Sequence, residues 1–196
     1  IRENYGLESF DYGSTVASGY WRRGISDHVT VEGRFEGDTN ARAVGATVDF
    51  SPGLIGILTA GAAFSNGDAG TGQLWLAGYE YQGGRFNFSS RSMWASPQFR
   101  LIGDPAAIVL QRQSQVAAGV SLGTLGSAGV AWVAQRYRNF PNFDTATVSY
   151  SATVAQRAFL TISVSRSNGE FSQTSAYATL TVPLGGRTRV TGEAST

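Results

Sequence analysis

The chain has 196 residues, a net charge of +1 and no cysteine, which fits one domain or a piece of a larger protein and excludes disulfide and thiol chemistry. Charged residues make up 15% of the chain, well below the roughly 25% of an average soluble domain, and the small net charge disfavours nucleic acid or an anionic surface as a partner. No stretch approaches twenty continuous apolar residues, so the sequence predicts no transmembrane helix.

The N-terminal part of the chain alternates with the period of two that is typical of β-strands. A first strand is expected at residues 16–23, with a turn at 24–27, and two later strands at 44–50 and 55–65. The clearest strand, at residues 28–36, lies between the strand at 16–23 and the strand at 44–50. One of its faces carries Val29, Val31, Gly33 and Phe35, and the other carries His28, Thr30, Glu32, Arg34 and Glu36.

The middle of the chain continues the pattern of strands and turns. Residues 74–82 predict a strand, and Gly83-Gly84 predicts a two-residue hairpin turn that leads into a strand with Asn87, Ser89 and Arg91 on its polar side. Residues 96–105 are the least regular and predict a longer loop. Residues 109–123 and 128–138 then predict a second hairpin.

From residue 143 to residue 182 three strands alternate strictly, and their polar side is small and almost uncharged. The first strand has Ala146, Val148, Tyr150, Ala152 and Val154 on one face and Thr145, Thr147, Ser149, Ser151 and Thr153 on the other. A soluble sheet usually covers its outer face with charged residues, whereas a face of hydroxyls opposite an apolar face is typical of a membrane barrel with a wet lumen.

These patterns predict an all-β protein, an antiparallel up-and-down transmembrane β-barrel of which the chain would supply about ten or eleven strands. We expect residues 1–196 to form a single partial barrel domain, with both ends of the chain cut from a longer protein. The candidate lumen-facing residues are Thr30, Glu32, Arg34, Glu36, Asn87, Ser89, Arg91, Thr145, Thr147, Ser149, Ser151 and Thr153.

Residues that could support catalysis are sparse. His28 is the single histidine, and its neighbours Ser26 and Asp27 cannot converge on it as a catalytic triad requires. Glu32 and Glu36 share a strand face about 13 Å apart by strand rise, too far for a glycosidase pair. The glycine-rich residues 67–72 lack the Gly-Lys-Ser/Thr ending of a phosphate loop. The sequence therefore predicts no enzyme, no metal site and no cofactor.

Several segments resemble outer-membrane ushers of the chaperone–usher pilus pathway. The opening IRENYGLESFDYG, residues 1–13, resembles the segment that follows the plug in ushers, in particular those of the branch that serves spore-coat-U-type (Csu-like) pili. Residues 17–33 are similar to the usher pattern in which an aromatic-Arg-x-Gly hairpin tip, here Trp21 to Gly24, precedes a strand of Val-Thr-Val-Glu type. Residues 43–50 and 61–65 also match, so the resemblance covers about the first ninety residues well.

This resemblance implies a non-enzymatic pore in the bacterial outer membrane that secretes and assembles pilus subunits. Its partners would be periplasmic chaperone–subunit complexes, acting through the complete protein, and outer-membrane lipid, without nucleic acid. The plug and the periplasmic domains are expected to lie outside this chain. A porin-like or autotransporter barrel is an alternative, since it shares the alternation, and a soluble β-sandwich or adhesin module is a second alternative.

Overall fold

In a computed structural model of the protein, residues 15–102, 109–154, 158–183 and 189–195 are described, the last range by its backbone. They form one antiparallel sheet of twelve strands in chain order, each hydrogen-bonded to its sequence neighbours. The strands are β1 Ala17–Ser26, β2 Val29–Gly37, β3 Arg42–Phe50, β4 Ile57–Gly67, β5 Gly70–Gln82, β6 Phe86–Ala95, β7 Leu110–Ser121, β8 Ser127–Tyr137, β9 Phe143–Val154, β10 Ala158–Asn168, β11 Ser172–Pro183 and β12 Arg189–Ser195. The all-β, up-and-down topology is thus confirmed.

The sheet has twelve strands, one more than the ten or eleven that the sequence predicts, and the last of them, Arg189–Ser195, pairs with β11. Within the described ranges the strand ladders run from β1 to β12, and none of them joins β12 back to β1. The described sheet therefore has two edges, which expose unpaired N–H and C=O groups to any strand that could add to them.

Two turns differ from their sequence prediction. The first strand continues through the expected turn to Ser26, with a register irregularity between Gly24 and Ser26. The pairing of β5 with β6 ends at Gln82 and Asn87, and neither Gly83 nor Gly84 adopts a positive φ. The predicted hairpin between β5 and β6 is present, but Gly83 and Gly84 are not the central pair of a primed turn, since such turns need positive φ. The Gly83 N–H instead donates to the Phe86 carbonyl at 2.9 Å.

Burial in this sheet runs opposite to that of a soluble domain. Only four hydrophobic residues of the described chain are buried, namely Ala43, Phe99, Val109 and Ala134. Large apolar side chains are instead exposed, as Val44 at 58% and Val148 at 59% illustrate. Since soluble proteins place such residues inside, this sheet is organised around its two faces rather than around a packed core. In the described part of the chain, no helix is long and apolar enough to cross a membrane.

Candidate functional site

The register of the ladders sorts the side chains into two faces, because directly paired residues on neighbouring antiparallel strands share a face. Glu32 pairs with Thr47 on β3, Thr47 with Gly61 on β4, and Gly61 with Leu76 on β5. Followed through the remaining ladders, this relation places all twelve candidate residues of β2, β6 and β9 on one face. We call it the polar face and the opposite one the apolar face.

On β3 and β9 the polar face is the more enclosed of the two. On β3 the side chains of Val44, Val48 and Phe50 on the apolar face are exposed, whereas Thr47 and Asp49 on the polar face are half-buried. On β9 Thr145 to Ser151 are likewise half-buried on the polar face, while Val148 on the apolar face is exposed. On β6 the order is reversed, since Asn87, Ser89 and Arg91 on the polar face are exposed.

Charge divides the polar face into two halves. On β1 to β6 it carries three arginines and four acidic residues, which are Arg22, Arg34, Arg91, Glu32, Glu36, Asp49 and Glu80. On β7 to β11 the described polar face carries no charged residue. We call these the charged half and the hydroxyl half. The sequence alternation identified the face but missed this division, because it appears only when the strands are placed side by side.

The charged half is cross-linked by ion pairs and hydrogen bonds. Arg22 Nε lies 3.6 Å from Glu32 Oε2, to which the Tyr20 hydroxyl also donates at 3.0 Å. Arg34 Nη2 lies 3.2 Å from Glu36 Oε2. The carboxylates of Glu32 and Glu36 therefore have separate partners and do not act as a pair.

The hydroxyl half has short cross-strand contacts between neutral groups. Ser127 Oγ and Ser151 Oγ are 2.9 Å apart, and Thr145 Oγ1 and Ser167 Oγ are 3.1 Å apart. Hydroxyls that are hydrogen-bonded to one another offer water a polar surface without a strong site for a charged ligand. Tyr177 also lies on this face through its pairing with Ser163, although it is not among the candidate residues that the sequence predicts.

A loop segment lies across the charged half. Residues 96–102, which we call the strap, follow β6 and return over β5, β4 and β2. The Ser96 N–H donates to the Gln73 carbonyl at 2.8 Å, and the Arg100 N–H donates to Ser65 Oγ at 3.0 Å. The Ile102 N–H donates to Glu36 Oε1 at 3.0 Å. The strap thus reaches back over four strands from the end of β6.

The strap is seated on a row of small residues. Glu36, Ala43, Ser65 and Gly72 pair in one cross-strand row of the polar face. Above them Phe99 is buried, and Ser65 is 5% exposed. A Cβ on Gly72 would overlap the backbone N and Cα of Phe99, so this close approach requires glycine. The predicted loop at 96–105 is confirmed over 96–102, and 103–105 lie outside the described residues.

The apolar face carries all four tryptophans of the chain, Trp21, Trp75, Trp94 and Trp132. Trp75 pairs directly with Trp94. Ala46 pairs with Ala62, and Ala62 pairs on its other side with Trp75. Phe64 packs edge-on against Trp75 with ring centroids 6.5 Å apart. Apolar and aromatic side chains of this kind are typical of a face that meets lipid.

Catalytic or metal chemistry finds no support in the described residues. His28 Nδ1 lies 2.8 Å from the Ser51 carbonyl, which explains this histidine as a turn residue that ties β2 to the end of β3. Across the described chain, no three His, Cys, Asp or Glu residues lie close enough to hold a metal ion. The pattern of faces is therefore the feature from which a function can be argued.

Known structures share this arrangement. The chain is similar to a chain in the E. coli P pilus tip assembly intermediate PapC–PapD–PapK–PapG in its second conformation, with 19% identity, a TM-score of 0.81, and coverage of 98% of this chain and 26% of that one. It is also similar to the P pilus usher (PapC) translocation pore, with 18% identity, a TM-score of 0.68, and coverage of 93% and 42%. A crystal structure of the PapC usher translocation pore gives 18% identity, a TM-score of 0.67, and coverage of 96% and 42%.

No protein-family model and no curated protein sequence matches the chain. The chain spans less than half the length of the chains to which it is structurally similar. At identities of 18–19% the likeness concerns the fold. The sheet of this chain has the fold of part of an usher translocation pore.

Proposed function

We propose that this chain forms part of the wall of an outer-membrane pore that secretes and assembles pilus subunits delivered by a periplasmic chaperone. The observation that carries the proposal is the segregation of the two faces. One face is polar and holds all twelve candidate residues, whereas the opposite face is apolar and holds every tryptophan. Water on the first face and lipid on the second would account for both.

Strand length supports a membrane-spanning role. Ten of the twelve strands run from 9 to 12 residues, β5 has 13 and β12 has seven. A tilted strand needs about 9–11 residues to cross the hydrocarbon core of a bilayer. The two sheet edges support the view that further strands complete the barrel, since an unpaired edge is not tolerated in lipid.

In this proposal the two halves of the polar face act differently on a passing protein. The hydroxyl half offers no charge to which a folded subunit could bind, so it suits a wall along which proteins slide. The charged half, with the strap lying on it, suits a region that holds a resident or transient partner through Arg–carboxylate contacts. We assign no catalytic role to either half.

The sequence resemblance supports a proposal on the branch of ushers and on the domain that this chain represents. We propose that residues 1–196 are one partial barrel domain of a Csu-like usher, with the plug and the periplasmic recruiting domains elsewhere in the complete protein. The similar structure that contains PapC, PapD, PapK and PapG makes chaperone–subunit complexes the natural candidates for partners.

The orientation of the faces can be tested with single cysteines, because the chain contains none. We would place cysteines at Thr147, Ser149 and Ser151 on the polar face and, as matched controls one residue away, at Ala146, Val148 and Tyr150 on the apolar face. In membranes the first set should react with a charged, water-soluble maleimide, and the second set with a lipid-soluble one. The reverse pattern would refute the orientation. Equal reaction of both sets with the water-soluble reagent would favour a soluble module.

Transport itself needs a second experiment in the complete gene product. A photo-crosslinking residue at Ser149 should capture pilus subunits in cells that are assembling pili, whereas the same residue at Val148 should capture none. Capture at Ser149 without pilus subunits among the products would favour a porin-like or autotransporter barrel.

A further inference from the structure

Charge is also distributed unevenly between the two faces. On strands β1 to β11 the polar face carries three arginines and four acids. The apolar face of the same strands carries five arginines and a single aspartate, namely Arg23, Arg42, Arg112, Arg136, Arg166 and Asp144. The net charge of +1 therefore conceals a strongly basic outer face. Arginine on a lipid-facing surface is costly at the bilayer midplane and tolerated near the interfaces. The position of these arginines along their strands therefore decides whether a membrane can accommodate them.

Four of the five arginines lie at the same end of the sheet. Arg42 is the first residue of β3, Arg112 the third of β7, Arg136 the second from the end of β8, and Arg166 the third from the end of β10. In an antiparallel meander these positions are all at one end, because successive strands run in opposite directions. We call these four residues the arginine rim.

The rim continues a row of tryptophans. Trp75 pairs with Trp94, Trp94 with Arg112, and Arg112 with Arg136. The Arg112 guanidinium lies 5.7 Å from the Trp94 ring centroid, and its Nε donates to Ser114 Oγ at 3.1 Å. Tryptophan prefers the headgroup level of a bilayer, so a guanidinium stacked on Trp94 would lie at the same level, beside lipid phosphates.

Only one of the four rim arginines has a carboxylate partner in the described chain. Arg112 and Arg136 are directly opposite each other, an arrangement of like charges that destabilises a sheet. Asp144 neutralises Arg136 through two contacts, at 2.8 and 2.9 Å. Among the described residues no carboxylate pairs with Arg42, Arg112 or Arg166. An anion from outside the protein would remove this repulsion, and guanidinium groups suit the oxygens of a phosphate.

We propose that the arginine rim binds the phosphate groups of anionic membrane lipids, so that the barrel wall is anchored to headgroups at this end of its strands. The inference rests on the proposed function, because it needs the apolar face to be in lipid. Membrane lipid is favoured over free phosphate because the arginines are spread over strands β3 to β10, near the same end of each strand, rather than gathered into a pocket.

The experiment measures lipid selectivity in bilayers by electron paramagnetic resonance of spin-labelled lipids. The complete gene product is reconstituted in phosphatidylcholine with trace spin-labelled phosphatidylglycerol or phosphatidylcholine, and the fraction of motionally restricted label gives relative association. We expect phosphatidylglycerol to be preferred about fivefold, the factor that corresponds to roughly 1 kcal/mol from one arginine at a membrane surface. High salt should reduce this preference.

Variant R42Q/R166Q is the main test, because neither arginine has an ion-pair partner in the described chain and folding should survive. We expect its selectivity to fall toward unity, and R112Q to fall part of the way. Variant R22Q/R91Q removes the same charge from the polar face and should keep the selectivity of the original chain.

The outcomes separate the two proposals. If no label is motionally restricted, the chain is not in the bilayer and the proposed function fails. If label is restricted but phosphatidylglycerol is not preferred, or if R42Q/R166Q and R22Q/R91Q behave alike, only the rim proposal is overturned. Loss of the preference in millimolar inorganic phosphate at constant ionic strength would likewise overturn it, in favour of a free-phosphate site.

Discussion

The close packing of the strap on Gly72 predicts that the substitution Gly72→Ala displaces the strap from the polar face. The new Cβ would overlap the backbone of Phe99 and Gln98, and β5 cannot retreat, because it is paired on both sides. The strap must therefore move outward by about 1 Å or more to reach an ordinary nonbonded separation. Such a shift breaks the hydrogen bonds from Arg100 N–H to Ser65 Oγ and from Ile102 N–H to Glu36 Oε1, which are both 3.0 Å long.

The loss can be estimated from these contacts. Each hydrogen bond contributes about 1 kcal/mol net, and burial of Phe99 contributes about 2–3 kcal/mol. Complete loss of these contacts would cost the closed strap about 4–5 kcal/mol, which is a thousandfold or more in the ratio of closed to open strap. The rest of the sheet should keep its stability, because the strap is a loop outside the strand ladders.

Tryptic cleavage after Arg100 measures this opening. When the strap closes faster than trypsin cuts, the cleavage rate follows the open population, so the rate in Gly72→Ala should rise by about 100- to 1000-fold. Gly84→Ala is the matched control, because nothing lies within 4 Å of its added Cβ. Phe99→Ala should accelerate cleavage without any steric clash. Equal cleavage rates at Arg100 in the original chain, Gly72→Ala and Phe99→Ala would show that the strap is not packed on Gly72 and held by Phe99.

Three further predictions concern the faces and can be measured by urea unfolding in vesicles. Val148→Arg should destabilise the chain by about 2–4 kcal/mol, because arginine is costly where it faces lipid. Its neighbour Ser149→Arg should cost less than about 1 kcal/mol, because arginine is tolerated toward the lumen. Equal losses would contradict the assignment of Val148 to the lipid side and Ser149 to the lumen side. Asp144→Asn, which leaves Arg136 without its bidentate partner, should cost about 1–2 kcal/mol, whereas a loss near zero would place the pair in bulk water. Gly61→Val, whose Cβ would lie 2.7 Å from Thr47 Cγ2, should destabilise by about 1–3 kcal/mol. Gly33→Val, where the nearest atom to the new Cβ is Trp21 Cε3 at 3.9 Å, should be tolerated; the reverse order would contradict the register.

The fold and the polar face could be predicted from sequence because a period of two is a local property. Thr147 and Val148 alternate along one strand, and the alternation alone assigns them to opposite faces. The strap could not be predicted in this way, since Arg100 meets Ser65 and Ile102 meets Glu36 only after four strands are placed side by side. The same holds for Arg112 and Arg136, which are 24 residues apart in the chain and opposite in the sheet. Gly72 gave no signal of this close approach, because the sequence places it in a glycine-rich segment before the predicted strand at 74–82, whereas β5 begins at Gly70.

Because each strand pairs with its sequence neighbours, this sheet can be extended by one hairpin at a time. The ends that must meet are separated by short connections, such as Asp27-His28 between β1 and β2, so loop closure costs little entropy and pairing can proceed from one hairpin to the next. A hairpin added at either edge would leave every existing ladder intact. The corresponding hazard is a slip of register by one residue, which would turn Thr147 and Ser149 outward and Val148 inward. With so few buried side chains to oppose such a slip, correct pairing must depend on the contrast between the two solvents that the wall separates.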